Sequence, residues 1–372
     1  MRIAFLDPSG WDYTVDTPLE RPFGGSQSAM CYLAIELPRL GHSVAIYNGI
    51  EVPTTIRGVE IRKLREIVSP GHLNGFDSVV VLNSAVGSHL RRELRLSSPL
   101  ILWMQHAHDQ PAASELKRLN ERKAWTGFAF VSNWQRECYE KAFWIDRDKC
   151  RVLRNAVTPA LAEIAETVPW FVSGEAPVLF YSSTPFRGLD VLLDAFPDIQ
   201  EAISGVWLRV YSSMSPYQVR PEDDGHRALY QRCQSLSGVD YVGSVGQARL
   251  ATELVGMAAL AYPSTFAETS CIAVLEAMAV GAAVVTTRLG ALPETTNGLA
   301  SMIDSQADKT ELARSFATKT IETLREAQRD AQRATTERER RRTYILDNYS
   351  WSARASEWID WLTHLRGRSH GL

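Results

Sequence analysis

The chain has 372 residues, a formal charge of −3 and 45% hydrophobic residues, more than one core fills, since chains beyond roughly 250 to 300 residues divide into domains. An isoelectric point near 6.3 leaves no general positive field for counterion-release binding, which argues against a nucleic-acid partner. The five cysteines, Cys31, Cys138, Cys150, Cys233 and Cys271, are odd in number and never in CxxC spacing; they argue against disulfides and zinc alike and fit a reducing cytoplasm.

The N-terminus, MRIAFLDPSG, runs straight into a strand-like apolar stretch without a secretory pattern. No apolar run approaches the roughly 20 residues that span a bilayer. A soluble chain is therefore expected. Short apolar, β-branched runs at 2–7, 42–48, 77–83, 100–105 and 128–132 alternate with amphipathic stretches, as buried parallel strands do. SQSAMCYLAIELPRLG reads as a helix with Ser26 capping its start and Gly41 as a left-handed stop. After the breaker-rich run between 152 and 177, the βα rhythm restarts at 178–182 and continues at 207–212, 240–244, 260–264 and 283–287.

This order predicts an α/β chain of two doubly wound, Rossmann-like domains, 1–165 and 172–350, joined by a linker at 155–177. Residues 309–343 are strongly helical by composition, and the mixed block from Glu337 to Arg342 reads as a solvated helix face rather than a nucleic-acid patch. In the last stretch Trp351, Trp358 and Trp361 recur at near-helical spacing, an aromatic stripe expected to pack against a core.

Doubly wound sheets bind ligands beyond the carboxyl ends of their strands, so the loops after Asp7, Gln105, Ser182, Gly243 and Ser264 are the places to look. The last carries the clearest pattern. In PSTFAETSCIAVLEAMAVGAAVVTT, a loop with Glu268 leads into a helix of about 270–280 that holds Glu276. Were the helix to begin at Glu268, the two carboxylates would share one face about 12 Å apart, roughly the length of a sugar nucleotide. One carboxylate would accept from a sugar ring, the other from ribose hydroxyls. Free amides near Ser270, Cys271 and Ile272 would face the diphosphate. The blander reading of Glu276 is an exposed helical glutamate, but its neighbours Ala273, Leu275, Ala277 and Met278 are apolar, and burying a carboxylate without partners is costly.

This segment resembles the E-x7-E region of the retaining GT-B glycosyltransferases of family GT4. Similar stretches follow one another along nearly the whole chain: FGGSQ, WMQHAHD, VSNWQ, RNAV, FRGLDVLLDAF and GALPE. The resemblance implies two domains facing a central cleft, with a C-terminal helix of about 352–372 returning to the N-terminal domain. It implies a metal-independent hexosyltransferase that retains anomeric configuration, taking a hexose-type sugar from a nucleotide-diphosphate donor to a glycan or lipid-linked acceptor in cell-surface polysaccharide synthesis.

By the same resemblance His106 meets a sugar hydroxyl, with His108 a nearby competitor. Glu268 positions the sugar, Arg187 grips the diphosphate, and Glu276 accepts from ribose. Gly24 and Gly25 form the first βα turn, and Ser183 and Gly243 line the donor. FGGSQ does not follow the G-x-G-x-x-G pattern of dinucleotide cofactors. One departure from the family stands out: a cation found a few residues before Arg187 in many relatives is absent from YSSTPFRG, where hydroxyls replace its hydrogen bonding but not its charge.

The sole D-x-D, Asp146-Arg147-Asp148, lies in a polar connection rather than at a strand end. No metal site is read there, and no cofactor is expected beyond the donor. Two other readings stay open: a GT-B sugar-nucleotide epimerase or phosphorylase, and a non-catalytic glycan- or nucleotide-binding subunit. The stretch holding Lys117, Arg118, Arg122 and Lys123 reads either as a solvated helix face or as a peripheral contact with the inner face of a membrane.

Overall fold

The computed structural model of the protein describes residues 1–161 and 167–369. They form two compact units. The first comprises Met1–Pro18, Gly24–Ala156 and the chain from Trp351 onward; the second comprises Leu19–Phe23 and Val157–Ser350. Part of the linker read at 155–177, residues 162–166, lies outside the described residues.

The first unit is built on an eight-stranded sheet of β1 (Arg2–Leu6), β2 (Ser43–Asn48), β3 (Thr54–Ile56), β4 (Val59–Lys63), β5 (Ser78–Leu82), β6 (Leu100–Met104), β7 (Gly127–Phe130) and β8 (Cys150–Val152). Their order is β3-β4-β2-β1-β5-β6-β7-β8, and every pair is parallel except β3 with β4. The central strands are apolar on both faces because helices cover both, and β5 and β6 are buried along their whole length.

Helix α1 (Gly25–Arg39) starts from Gly24, which caps with extended backbone and no side-chain bond. Ser26 thus lies inside the first turn and not at the cap read from the sequence. Gly41, at φ +81°, ends α1 as expected, its amide and that of His42 bonding back to Pro38 and Leu37. The start of α2 (Gly87–Arg92) is capped from α3 (Leu119–Ala124). The buried Glu121 carboxylate accepts from the amides of Gly87 (2.6 Å) and Ser88 (2.9 Å) and from Trp125 Nε1 (2.9 Å).

The second unit holds β9 (Val178–Tyr181), β10 (Trp207–Val210), β11 (Val239–Tyr241), β12 (Ala259–Tyr262), β13 (Ala283–Thr287) and β14 (Ser301–Ile303). All pair in parallel, in the order β11-β10-β9-β12-β13-β14. Counted from β9 this is the 3-2-1-4-5-6 winding of a Rossmann sheet, whose topological switch point falls between β9 and β12. Helix α4 (Leu189–Ala202) follows β9, and α5 (Ile272–Ala279) follows β12. The helical stretch read as 309–343 is two helices, α6 (Lys309–Arg329) and α7 (Ala331–Asn348). Asp330 breaks the run because its side chain accepts from the Arg333 amide, starting a second helix where the first would have continued.

The last helix, α8 (Trp351–Ser369), belongs to the first unit and packs along α1. Its aromatic stripe is the reason. Trp358 is fully buried with its ring 5.0 Å from that of Trp103 on β6, and Trp361 lies over Gly127, where an added Cβ would come within 2.8 Å of the indole. Among the described residues no helix is long and apolar enough to cross a membrane.

Candidate functional site

The switch point of the second sheet brings two loops together. Leaving β9, the chain passes through Ser182, Ser183 and Thr184, makes a single 3-10 turn at Pro185–Arg187, and enters α4 at Gly188. Leaving β12, it runs from Pro263 to Cys271 before α5. The loops touch at Gly188, whose φ of +113° and missing side chain admit the Pro263 carbonyl; a Cβ would stand 2.1 Å from that oxygen. Gly290 does the same for Glu268. At φ +62° it lies against the Glu268 backbone, 2.5 Å from the carbonyl oxygen for a built Cβ, and the Ala291 amide donates to that carbonyl at 2.7 Å.

Glu268 is thereby held in the loop ahead of α5 and not in its first turn. The helix starts at Ile272 rather than near 270 and ends at Ala279, with Cys271 as its cap at φ +74°. The single continuous face imagined for Glu268 and Glu276 therefore does not form: only Glu276 is helical.

Arg187 and Glu268, read as serving different parts of a ligand, are bonded to each other. Arg187 Nη1 donates to Glu268 Oε1 at 2.6 Å, and Nη2 donates to Tyr217 Oη at 3.2 Å. The guanidinium also sits 4.6 Å from the ring centre of Phe266 and 5.5 Å from that of Phe186, within cation–π range. Tyr262 Oη donates to the same Glu268 oxygen at 2.5 Å. Ser183 Oγ, 3.4 Å from Tyr262 Oη, joins the cluster through that phenol. Burial works against the Arg187 charge, yet the adjacent Glu268 carboxylate outweighs it and keeps the guanidinium firmly protonated. Burial and then Glu268 push the Tyr262 phenol up, so it acts as a donor throughout the physiological range.

Glu276 lies in α5 with 3% of its surface exposed. Burial raises its carboxyl to about 8, opposed by a hydrogen bond from Gln247, and its Oε1 is buried with no hydrogen-bond partner among the described residues. A carboxyl in that state has unused acceptor capacity. Ser270 and Cys271 are buried, and the Ser270 carbonyl accepts from Thr295 Oγ1, which ties the start of α5 to the segment after β13. Gly243, after β11, holds φ +76° with open space where a side chain would stand.

In the first unit, His106 follows β6. Its carbonyl accepts from Gln135 Nε2 at 2.8 Å and Tyr139 Oη at 3.0 Å, fixing the backbone at that strand end. The Nδ1 of its competitor, His108, is buried with no hydrogen-bond partner among the described residues. Gly24, at φ −61°, and Gly25 open α1 with ordinary backbone angles. The turn after β1 is instead organised by Asp7, which accepts from Ser9 and Tyr13. Asp146 of the D-x-D accepts from the Asp148 amide at 3.0 Å, capping a 3-10 turn.

Sequence reasoning missed Tyr217, Tyr262, Phe266 and Gln247. Tyr262 had a usable signal, since it ends the strand before Ser264. Tyr217 did not, because it ends a single 3-10 turn 30 residues from the arginine it touches.

Two doubly wound, Rossmann-like units of this kind are the GT-B fold. Residues 176–322 match the family model described as glycosyl transferases group 1. No curated protein sequence matches the chain. Among solved structures it is similar to a glycosyltransferase from Rickettsia africae, at 15% identity and a TM-score of 0.73 with 98% of each chain covered. It is similar to sucrose-phosphate synthase from Thermosynechococcus elongatus, at 16% identity and a TM-score of 0.72 with 99% of this chain and 100% of that one covered. Anabaena HepE in complex with UDP is a third, at 16% identity and a TM-score of 0.69 over 98% and 100%; HepE is also known in complex with UDP-glucose.

Proposed function

We propose that this chain is a metal-independent, retaining glycosyltransferase that moves a hexose-type sugar from a nucleotide-diphosphate donor to a glycan or lipid-linked acceptor in cell-surface polysaccharide synthesis. The observation that carries the reading is the Arg187–Glu268–Tyr262 cluster at the switch point between β9 and β12, where a Rossmann sheet takes its ligand. The UDP and UDP-glucose complexes of HepE support the class of donor.

On this reading the ion pair is the resting arrangement. An arriving diphosphate is a second anion for Arg187, and as the guanidinium turns to it, Glu268 is released to accept from hydroxyls of the transferred sugar. Tyr262 stays on the carboxylate and holds its position. Arg187 then meets the charge that develops on the departing nucleotide, a contribution worth on the order of 3 kcal/mol of barrier for one preorganised donor. Glu276 accepts from the ribose hydroxyls with its unused oxygen, while amides at Ser270, Cys271 and Ile272 face the diphosphate. Ser183 and Gly243 line the donor, and His106 meets a sugar hydroxyl. Gly24 and Gly25 allow close backbone approach. Glu268 is a positioning carboxylate and not a nucleophile, so attack comes from the face the nucleotide leaves.

The test is product analysis. UDP- and GDP-hexoses are incubated with oligosaccharide acceptors in the presence of a chelator, and the anomeric coupling of the product is read by NMR. The α-configuration retained from an α-linked donor, with Glu268→Ala and Arg187→Ala inactive, supports the proposal. An inverted product, or conversion of donor alone to an epimer, refutes it. A cytoplasmic protein that touches the inner membrane through Lys117, Arg118, Arg122 and Lys123 would co-sediment with anionic but not neutral vesicles.

A further inference from the structure

The second unit contains a cavity at the opposite end of its sheet, where β12, β13 and β14 begin. It encloses about 300 Å³, at the lower end of small-molecule sites. We propose that this cavity, walled by Trp170 and by Arg329, Arg333, Arg338, Arg340 and Arg341, binds a small phosphate-bearing anion.

The charge balance is the first argument. Five arginines line the cavity against three carboxylates, Glu326, Asp330 and Glu337. Glu337 is engaged by Arg333 Nε at 2.9 Å, and Asp330 is occupied in capping α7. Part of the positive charge answers the end of α5, since Gly281 closes that helix and the Arg338 and Arg342 side chains lie where its Cβ would stand. A helix end carries only about half a unit of negative charge, so the cluster exceeds what the cap requires.

The second argument is Arg341. It is 9% exposed, and among the described residues its guanidinium reaches a single acceptor, the Gly281 carbonyl, at 3.2 Å from Nη2 and 3.4 Å from Nε. No carboxylate pairs with it among the described residues. A guanidinium has five N–H donors; the carbonyl engages Nε and Nη2, and Arg341 lines the cavity, so its remaining donors are available to an anion there. Burial accordingly lowers its pKa to about 10. Phosphate oxygens match the guanidinium fork in geometry, and Trp170 supplies an apolar wall for whatever the phosphate is attached to. The site depends on no assignment made for Glu268.

Calorimetric titration of inorganic phosphate and of glycerol 3-phosphate into the full chain at low ionic strength tests it. Saturable one-to-one binding is expected in the wild type and in Arg187→Gln, which silences the switch-point cation. Binding should weaken roughly tenfold or more in Arg341→Met and in Arg340→Glu. Arg340 is exposed on α7, so its variant is informative if Arg341→Met fails to fold. Tighter binding of glycerol 3-phosphate assigns the cavity to phosphomonoesters; equal binding assigns it to free phosphate. The proposal is overturned if neither anion binds saturably, or if binding survives Arg340→Glu and disappears in Arg187→Gln.

Discussion

Arg187 and Glu268 stand 81 positions apart in sequence and 2.6 Å apart in space, and the contact exists because Gly188 lets the loop after β9 rest on the loop after β12. The pair is nearly enclosed, with side-chain exposures of 20% and 4%. Removing one partner of a buried pair leaves the other uncompensated, at a cost of roughly 3 to 5 kcal/mol. Arg187→Met should therefore lower unfolding free energy by about 3 kcal/mol in urea titrations, and Arg187→Met with Glu268→Gln should recover much of the loss. A single variant as stable as the wild type would show that the pair contributes nothing to the fold.

Glu276 predicts a dependence on pH whose sign follows from its raised carboxyl. Its value of about 8 against an ordinary 4.5 means that the folded chain holds a proton the unfolded chain has lost throughout that window. Stability contributed by this group is full below pH 4.5, falls as pH rises through the window, and levels above 8. The total amounts to a few kcal/mol at most. Melting curves of the wild type should show this decline relative to Glu276→Gln. Parallel profiles would contradict it.

Donor binding carries the opposite slope. A ribose hydroxyl pair bonds best to the ionised carboxylate, so binding near pH 7 expels a proton and strengthens toward pH 8.5. Glu276→Gln should bind donor more weakly at pH 8.5 by roughly 1.5 to 3 kcal/mol, with no proton release when calorimetry is repeated in buffers of different ionisation enthalpy. Equal affinity in both proteins at that pH would remove Glu276 from the donor site.

Much of the fold was legible because buried parallel strands write themselves as unbroken apolar runs. β5 reads SVVVL and β6 reads LILWM, and no amphipathic helix has that pattern. The edge strand β3 and its neighbour β4 were not legible, since TTI and VEIRK keep partly exposed residues and a weak period. Asp330 split a helix by capping, a choice that composition over a long window cannot register. At the site, the segment around Glu268 and the position of Arg187 were readable from order along the chain. Their pairing was not, because it depends on two close backbone approaches, at Gly188 and Gly290. The aromatic rings of Phe186 and Phe266 around the guanidinium follow from the same approach.

Those approaches make a further prediction. Gly188→Ala must accommodate a Cβ 2.1 Å from the Pro263 carbonyl, and Gly290→Ala one 2.5 Å from that of Glu268, each at a left-handed φ. Each should cost at least about 3 kcal/mol in denaturant unfolding and should abolish donor binding under conditions where the chain is still folded. Wild-type stability in either variant would mean that the loops are not held as described.

Glu121 supplies the contrast. Glu121→Ala frees the Gly87 and Ser88 amides and the Trp125 indole, a loss of about 2 kcal/mol. Urea titration should detect it while donor affinity in the second unit stays unchanged. A fall in donor affinity to match would contradict the placing of the donor's nucleotide and diphosphate on the second unit.

The most direct test of the central claim is a thermal-shift series with nucleotide-diphosphate sugars on the wild type and on Arg187→Gln. Ligand at a hundred times its dissociation constant stabilises the native state by about 2.7 kcal/mol. At least one UDP- or GDP-hexose should raise the melting temperature of the wild type by several degrees and leave the variant unmoved. A flat response to every nucleotide sugar in the wild type, or an equal rise in both proteins, would contradict the account.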